Sequence, residues 1–312
     1  MLAKVAEKVY WTGRYLDRIE STARIIAVYN QLLFDLPKDI HFSWYALIRL
    51  NQAENYFDQK YQNRTEKNII KFLLSDKIYP SSILNTLQFI RENVRTSRDV
   101  LPEYIWVLIN ELHLFVEQNL QQGINRNKRL DFLEGIIHGC YKVNGLLSSC
   151  MSKDEAWYFM QLGKNIERTD MTSRLLDASV SAYHYLCKSN NDVNLHHIIW
   201  GNLLKVLSAE QSFRRDSRTS LKGKAISDYL LNNISQPSAI KHCLISAKAS
   251  ALALPNSNQI STLCQGMIED LTENQIDIEK QKAFDHFINQ HQINIANLHH
   301  AITQQWFDEQ YL

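Results

Sequence analysis

The sequence predicts an all-α protein, a single compact helical bundle built from two similar, duplicated halves. Gly (9) and Pro (5) are scarce among the 312 residues, whereas Leu, Ile, Ala, Gln, Asn, Lys and Glu dominate, which is a helix-rich composition. No segment alternates with period two, and no valine-rich run suggests a buried parallel sheet. A twelve-residue pattern recurs at a spacing of 150 positions, and internal repeats of this kind indicate duplicated units.

The repeated pattern begins at Gly13 in its first copy and at Gly163 in its second. Gly, Arg, Thr and Arg are identical at equivalent places, and the charged places keep their sign. Later landmarks recur in the same order, at offsets that drift only from 150 to 157. The matched landmarks are Trp44, Glu54, Phe57, Pro80 and Ser81 with Trp200, Glu210, Phe213, Pro237 and Ser238. We therefore expect one domain over 1–312, with repeat halves of about 1–145 and 146–312.

Individual helices follow from apolar periodicity and from breaking or capping residues. In order, helices are predicted at about 2–34, 41–60, 65–75, 80–99, 102–120, 130–149, 152–188, 193–216, 221–233, 238–253, 257–275 and 276–308. Pro80 and Pro102 open the fourth and fifth, and Pro255 separates two later ones. The stretch from Gly123 through the basic run 126–129 is predicted to be a loop. A capping box from Ser152 to Glu155 opens the helix that carries the second motif.

Composition excludes several classes of protein. A formal net charge of +1 gives no support for nucleic-acid or bilayer binding by charge. No apolar stretch approaches the roughly 20 residues of a membrane span, and the N-terminus does not resemble a signal peptide. The five cysteines are odd in number and form no CxxC pair. We expect reduced, mostly buried thiols in a cytoplasmic protein.

The motif places opposite charges on one helical face. Gly13, Asp17, Glu20 and Arg24 are separated by steps of four, three and four, so they share a face. The second copy repeats this arrangement from Gly163. Glycine inside a helix costs about 1 kcal/mol relative to alanine. Its presence in both copies therefore predicts that another backbone or a ligand comes close.

Two interpretations of these charges remain open. They form either a buried structural network between the motif helices or a site that binds charged groups. Arginines would take a carboxylate or phosphate, and carboxylates would take an ammonium group or a hard cation. The candidates are Arg14, Asp17, Arg18, Glu20, Arg24, Lys164, Glu167, Arg168, Asp170 and Arg174. We expect Arg18 and Arg168 to be largely buried, each bonded to a motif carboxylate.

Other patterns indicate no chemistry of their own. No Glu-x-x-His, HExxH, GxSxG or glycine-rich phosphate loop occurs, so no metal or cofactor is predicted, and these patterns single out no catalytic residue. The basic cluster Arg126, Lys128 and Arg129 is interpreted as a solvated loop. Arg91, Glu92, Arg95 and Arg98 form a charged stripe, interpreted as a solvated face or, alternatively, as the lining of a cleft.

The chain resembles the alpha-E proteins, a bacterial all-helical family named for a repeated Glu-Arg motif. The resemblance covers nearly the whole chain. The residues that carry it are Met1–Glu7, Tyr10-Trp11, Gly13–Arg24, Arg91–Asn93, Arg95, Arg98, Met151–Trp157, Phe159, Leu162-Gly163 and Glu167-Arg168. Asp17 departs from the family, which commonly has Glu there, and Thr169-Asp170 departs where Ala and an acidic residue are common.

This resemblance implies a context more than a reaction. Alpha-E genes or domains typically accompany circularly permuted ATP-grasp ligases and transglutaminase-like proteins. We therefore expect a non-catalytic helical accessory or substrate-binding protein that works with an ATP-grasp-type peptide or amide ligase, or binds its peptide product. The alternative is an enzyme acting on a peptide or amide bond, with Asp17, Glu20, Glu167 and Asp170 as acid/base candidates and the arginines as substrate clamps.

Overall fold

A computed structural model describes residues 1–35, 43–187, 193–217, 221–274 and 276–308. Every regular segment in these ranges is helical, which confirms the predicted all-α class. The α-helices are α1 (Ala3–Asp35), α2 (Ala46–Leu50), α3 (Glu54–Lys60), α4 (Glu66–Ser75), α5 (Ile83–Arg95), α6 (Ile105–Ile124), α7 (Arg129–Cys150), α8 (Glu155–Cys187), α9 (Val193–Val206), α10 (Glu210–Asp216), α11 (Gly223–Asn232), α12 (Ile240–Leu252), α13 (Asn258–Glu273) and α14 (Gln281–Trp306). Short 3₁₀ turns cover Arg98–Val100 and Arg126–Lys128.

The chain divides into two compact units. The terminal unit comprises Met1–Arg14 and Lys153–Leu312, and the central unit comprises Tyr15–Ser152. Helix α1 contributes its first residues to the terminal unit and the rest to the central unit. The division therefore differs from the repeat halves that the sequence suggests, because the first fourteen residues pack with the later part of the chain.

Two predicted helices are each split in two. The segment predicted at 41–60 contains α2 and α3, and its first two positions lie outside the described residues. The segment predicted at 193–216 contains α9 and α10. The breaks contain Gln52 and Ser208, whose φ angles of 51° and 50° are left-handed. A left-handed residue ends a helix, and neither position holds the glycine that would have signalled it.

Two further local differences concern helix ends. Helix α6 continues through Gly123, where the sequence suggested a loop. Helix α8 is capped by Asp154, whose Oδ1 accepts a 3.2 Å hydrogen bond from the amide of Trp157, whereas the sequence assigned the cap to Ser152. The last-turn side chains at Leu186 and Cys187 lie outside the described residues.

Helix α8 organises the core of the terminal unit. It packs chiefly against α12 and α14, and α12 packs in turn against α13. Leu176 and Val180 of α8, Ala247 of α12 and Ile288 of α14 are completely buried. The apolar stripe of α8 thus holds its polar residues at fixed positions relative to α14.

The central unit has its own core. Helix α6 packs against α7, α5 and α4. Phe57 and Phe72 are fully buried in an edge-to-face pair with their ring centroids 5.2 Å apart. Among the described helices, none combines the length and the apolar composition of a membrane span.

Candidate functional site

The two motif glycines lie where α1 and α8 meet inside the terminal unit. A Cβ atom on Gly13 would lie 2.2 Å from the carbonyl oxygen of Met160, and one on Gly163 would lie 2.1 Å from that of Tyr10. Carbon and oxygen atoms never approach so closely without a bond. Each helix therefore meets the backbone of the other at its glycine, and any side chain at either position would push them apart.

A buried ion pair lies one residue beyond this crossing. The Nε atom of Arg14 donates a 2.8 Å hydrogen bond to Oε2 of Glu167. The side chains of Arg14 and Glu167 are only 8% and 1% exposed. Burial alone would lower the pKa of the Arg14 guanidinium, but Tyr10 and Glu167 beside it raise that pKa above its ordinary value. Both groups are therefore held charged and paired.

The pair continues into a polar chain that the sequence did not reveal. Nη1 of Arg14 donates to the hydroxyl of Tyr10 at 3.4 Å, and that hydroxyl lies 2.9 Å from Nδ1 of His299 on α14. The Arg14 guanidinium also lies 5.1 Å from the ring centroid of Trp11. Tyr10 stands four residues before Arg14, a spacing that could have indicated the contact. Nothing in the sequence indicated His299, because it lies on α14, far from the motif along the chain.

Two other motif pairs form within single helices. In the central unit, Arg24 pairs with Glu20 and donates a 2.9 Å hydrogen bond to the hydroxyl of Tyr141. In the terminal unit, Nε of Arg174 lies 3.0 Å from both carboxylate oxygens of Asp170. Both pairs have the i, i+4 spacing that the sequence placed on one face. Each pair joins a motif carboxylate to an arginine of the same helix.

Arg18 and Arg168 are less buried than expected. Both are half-buried, not largely buried, and the enclosed motif arginine is Arg14. Nη1 of Arg18 donates to the Oγ of Ser81 at 3.1 Å, and Nη1 of Arg168 donates to the carbonyl of Pro237 at 3.4 Å. Each arginine therefore contacts a Pro-Ser turn of its own unit. Positions 18 and 168 lie one step round the helix from the face that carries the motif glycine and carboxylates.

The remaining motif residues occupy different surroundings. Asp17 is 4% exposed, in the central unit, and Lys164 is half-buried in the terminal unit.

Cys140 of α7 lies near the first motif copy. Its burial, with the charges of Glu20 and Asp17, raises the pKa of its thiol well above the ordinary value. Cys140 is therefore an inert buried thiol, like the buried Cys243 and Cys264, while Cys150 is exposed.

Arg129 corrects the interpretation of the basic cluster as solvated. It is only 1% exposed. Its guanidinium donates to Oε1 of Glu66 at 2.7 Å, to Oδ1 of Asn30 at 2.9 Å and to the carbonyls of Gly123 and Ile124 at 3.0 Å. It therefore ties the end of α6 to α1 and α4. Its neighbour Lys128 is exposed, as predicted.

These arrangements suit charge pairing more than metal chemistry. Within the described ranges, no group of three or more His, Cys, Asp or Glu side chains is placed to hold a metal ion. The motif carboxylates Glu20, Glu167 and Asp170 already accept hydrogen bonds from arginines. The site can position two helices and fix charges in place.

Comparison with known proteins agrees with this helical architecture. Uncharacterised proteins of Mycobacterium bovis and Mycobacterium tuberculosis are each 20% identical to the chain over 277 residues, which is 82% of this chain. The chain spans only 30% of the length of these relatives. No solved structure matches it. Residues 1–307 match the Alpha-E family, described as a predicted alpha-helical domain with a conserved ER motif, and the chain belongs to that family.

Proposed function

We propose that this Alpha-E protein is a non-catalytic helical accessory or substrate-binding protein of an ATP-grasp-type peptide or amide ligase system. The observation that carries the proposal is the enclosed Arg14–Glu167 pair at the glycine crossing. A carboxylate that is 1% exposed and bonded to an arginine cannot reach a substrate. The Arg14–Glu167 pair therefore serves to lock two helices together.

A second line of support comes from the mycobacterial relatives. In these uncharacterised proteins the matched region makes up only 30% of a longer chain. There the helical region is joined to further sequence, as expected of a module that works beside another domain. The family resemblance implies that the companions are a circularly permuted ATP-grasp ligase and a transglutaminase-like protein, with a peptide as the shared ligand.

We also propose that the two halves arose by duplication. Arg18 and Arg168 hold equivalent motif places, and each donates to an equivalent Pro-Ser turn. Trp44 and Trp200 each pack on a tyrosine of the preceding motif helix, Tyr29 and Tyr183, with ring centroids 5.1 and 5.8 Å apart. The left-handed residues Gln52 and Ser208 also fall at matching places. An experimental structure in which 43–95 and 193–252 do not superpose in sequence order would contradict duplication.

The alternative function, an enzyme acting on a peptide or amide bond, has one observation in its favour. His299 is part-exposed and shares a hydrogen bond with Tyr10, beside Arg14. A histidine in such a setting can transfer protons. If the protein is an enzyme, His299→Gln should abolish turnover while the fold persists.

The deciding experiment uses the full chain and an ATP-grasp ligase from the same organism. The chain alone is incubated with peptides and analysed by mass spectrometry for cleavage or new amide bonds, and none is expected. With the ligase present, light scattering should detect a defined complex, and the ligase rate should change. Turnover by the chain alone would establish the enzyme alternative. Absence of both a complex and a rate effect would contradict the accessory role.

A further inference from the structure

A second cluster of arginines lies in the central unit, away from the motif. The indole of Trp106, near the start of α6, has the guanidinium carbon of Arg98 at 4.8 Å and that of Arg91 at 5.9 Å from its ring centroid. Arg91 lies on α5, and Arg98 lies in the 3₁₀ turn that leads from α5 toward α6. Trp106 and Arg91 are half-buried, and Arg98 is exposed. Two cations therefore flank one indole at the surface.

Arg91 is held in place by its neighbours on α6. Its Nε donates a 2.8 Å hydrogen bond to Oδ1 of Asn110, and its Nη1 lies 3.5 Å from Nδ1 of His113. Burial and the charge of Arg91 lower the pKa of His113, although Glu117, 3.9 Å away, opposes them. His113 is therefore neutral at neutral pH, and its Nδ1 can accept the hydrogen bond from Arg91.

The cluster has more positive charge and more donors than its own residues satisfy. In the part of the chain that the structure describes, no carboxylate forms an ion pair with Arg91 or Arg98. By contrast, Arg95 of the same helix pairs with Glu92 at 2.7 Å. Asn110 accepts the hydrogen bond from Arg91 through its carbonyl oxygen, and its amide group is a donor. Guanidinium and amide donors without an acceptor favour an anionic ligand.

We propose that Arg91, Arg98 and Trp106 form a binding site for a carboxylate, such as the free C-terminus of a peptide. The planar guanidinium fork matches a carboxylate with two parallel hydrogen bonds. The indole of Trp106 holds the two guanidinium groups near one another through cation–π contacts. The site depends only on contacts within the central unit. Its test is therefore independent of the proposed partnership with a ligase.

The test is an NMR titration of the full chain at constant ionic strength, following the indole N–H signal of Trp106. That signal is assigned by its loss in Trp106→Phe. The probe is trialanine with a free C-terminus, and the comparison ligands are the same peptide amidated at its C-terminus and inorganic phosphate. We expect saturable shifts with the free acid and at least about tenfold weaker binding of the amide, because a charge-assisted hydrogen bond is lost.

Three variants separate this site from a general effect of positive charge. Arg98→Met and Arg91→Met should each weaken binding of the free acid by about tenfold or more. Arg95→Met is the matched control, since it removes the same charge from α5 but has its own carboxylate partner, and its affinity should stay within about twofold of wild type. Arg98 is exposed and without hydrogen-bond partners in the described chain, so its variant tests the site even if Arg91→Met does not fold. Equal loss in Arg95→Met, no effect of Arg98→Met, equal binding of acid and amide, or binding of phosphate alone would each overturn the proposal.

Discussion

Arg14 and Glu167 form an enclosed ion pair between two helices whose sequences resemble each other. The donor and acceptor are 2.8 Å apart, and the helices that carry them touch at Gly13 and Gly163. The glycines bring the backbones close enough for a side chain of α1 to reach α8 and exclude water. The pair and the glycines therefore act together, and each is open to a separate measurement.

Replacing Arg14 should destabilise the fold strongly. Arg14→Met removes the arginine that pairs with the buried Glu167 carboxylate, which we expect to lower the free energy of unfolding by about 3–5 kcal/mol. Urea unfolding followed by circular dichroism measures this. The double variant Arg14→Met, Glu167→Gln should lose less than the two single variants together, because both single variants disrupt the same ion pair. An Arg14→Met protein within about 1 kcal/mol of wild type would mean that the pair is not structural.

Filling the glycine crossing should also be costly. Gly163→Ala puts a methyl group 2.1 Å from the carbonyl oxygen of Tyr10, so the helices must separate. We expect a loss of about 1–3 kcal/mol from overpacking. Gly266 of α13 lies in the same unit with no atom within 4 Å of an added Cβ. Gly266→Ala should therefore stabilise the protein by about 0.4–1 kcal/mol. Equal melting temperatures for the two variants would refute the close-packing role.

Arg129 should prove as important as the motif arginines. Arg129→Met removes the partner of Glu66 and leaves the carbonyls of Gly123 and Ile124 without their donor. We expect a loss of about 3–5 kcal/mol in the free energy of unfolding. The exposed neighbour provides the control, and Lys128→Met should change stability by no more than about 0.5 kcal/mol. Similar unfolding curves for both variants would contradict the buried network.

His291 should make stability depend on pH. It is 3% exposed on α14, and burial lowers its pKa to about 4. The unfolded chain therefore binds this proton more readily than the folded one. The contribution of His291 to the free energy of unfolding is fully present above the unfolded pKa of about 6.5. It is lost as pH falls toward 4, at up to about 1.4 kcal/mol per pH unit. His291→Leu should remove this part of the slope between pH 6.5 and 4, whereas the exposed His286→Leu should keep it. Parallel profiles for wild type and His291→Leu would contradict the prediction.

The sequence by itself determined the helical class and most helix bounds. Apolar periodicity and scarce Gly and Pro are local properties, and a helix depends mainly on local contacts. The repeat spacing likewise singled out Gly13 and Gly163, because a residue that costs stability in a helix must be compensated. The helix breaks at Gln52 and Ser208 were not predicted, because neither residue type indicates a left-handed conformation.

Only the tertiary structure decided which charges meet. The sequence favoured burial of Arg18 and solvation of Arg129, yet Arg129, like Arg14, is enclosed and Arg18 is half-buried. Burial depends on which distant helix covers a side chain, and helical spacing says nothing about that. The partners Glu167 and Glu66 lie 153 and 63 residues away from Arg14 and Arg129. The chain specified its helices through neighbours along the sequence, whereas the enclosed Arg14–Glu167 pair required distant segments to pack together and exclude water.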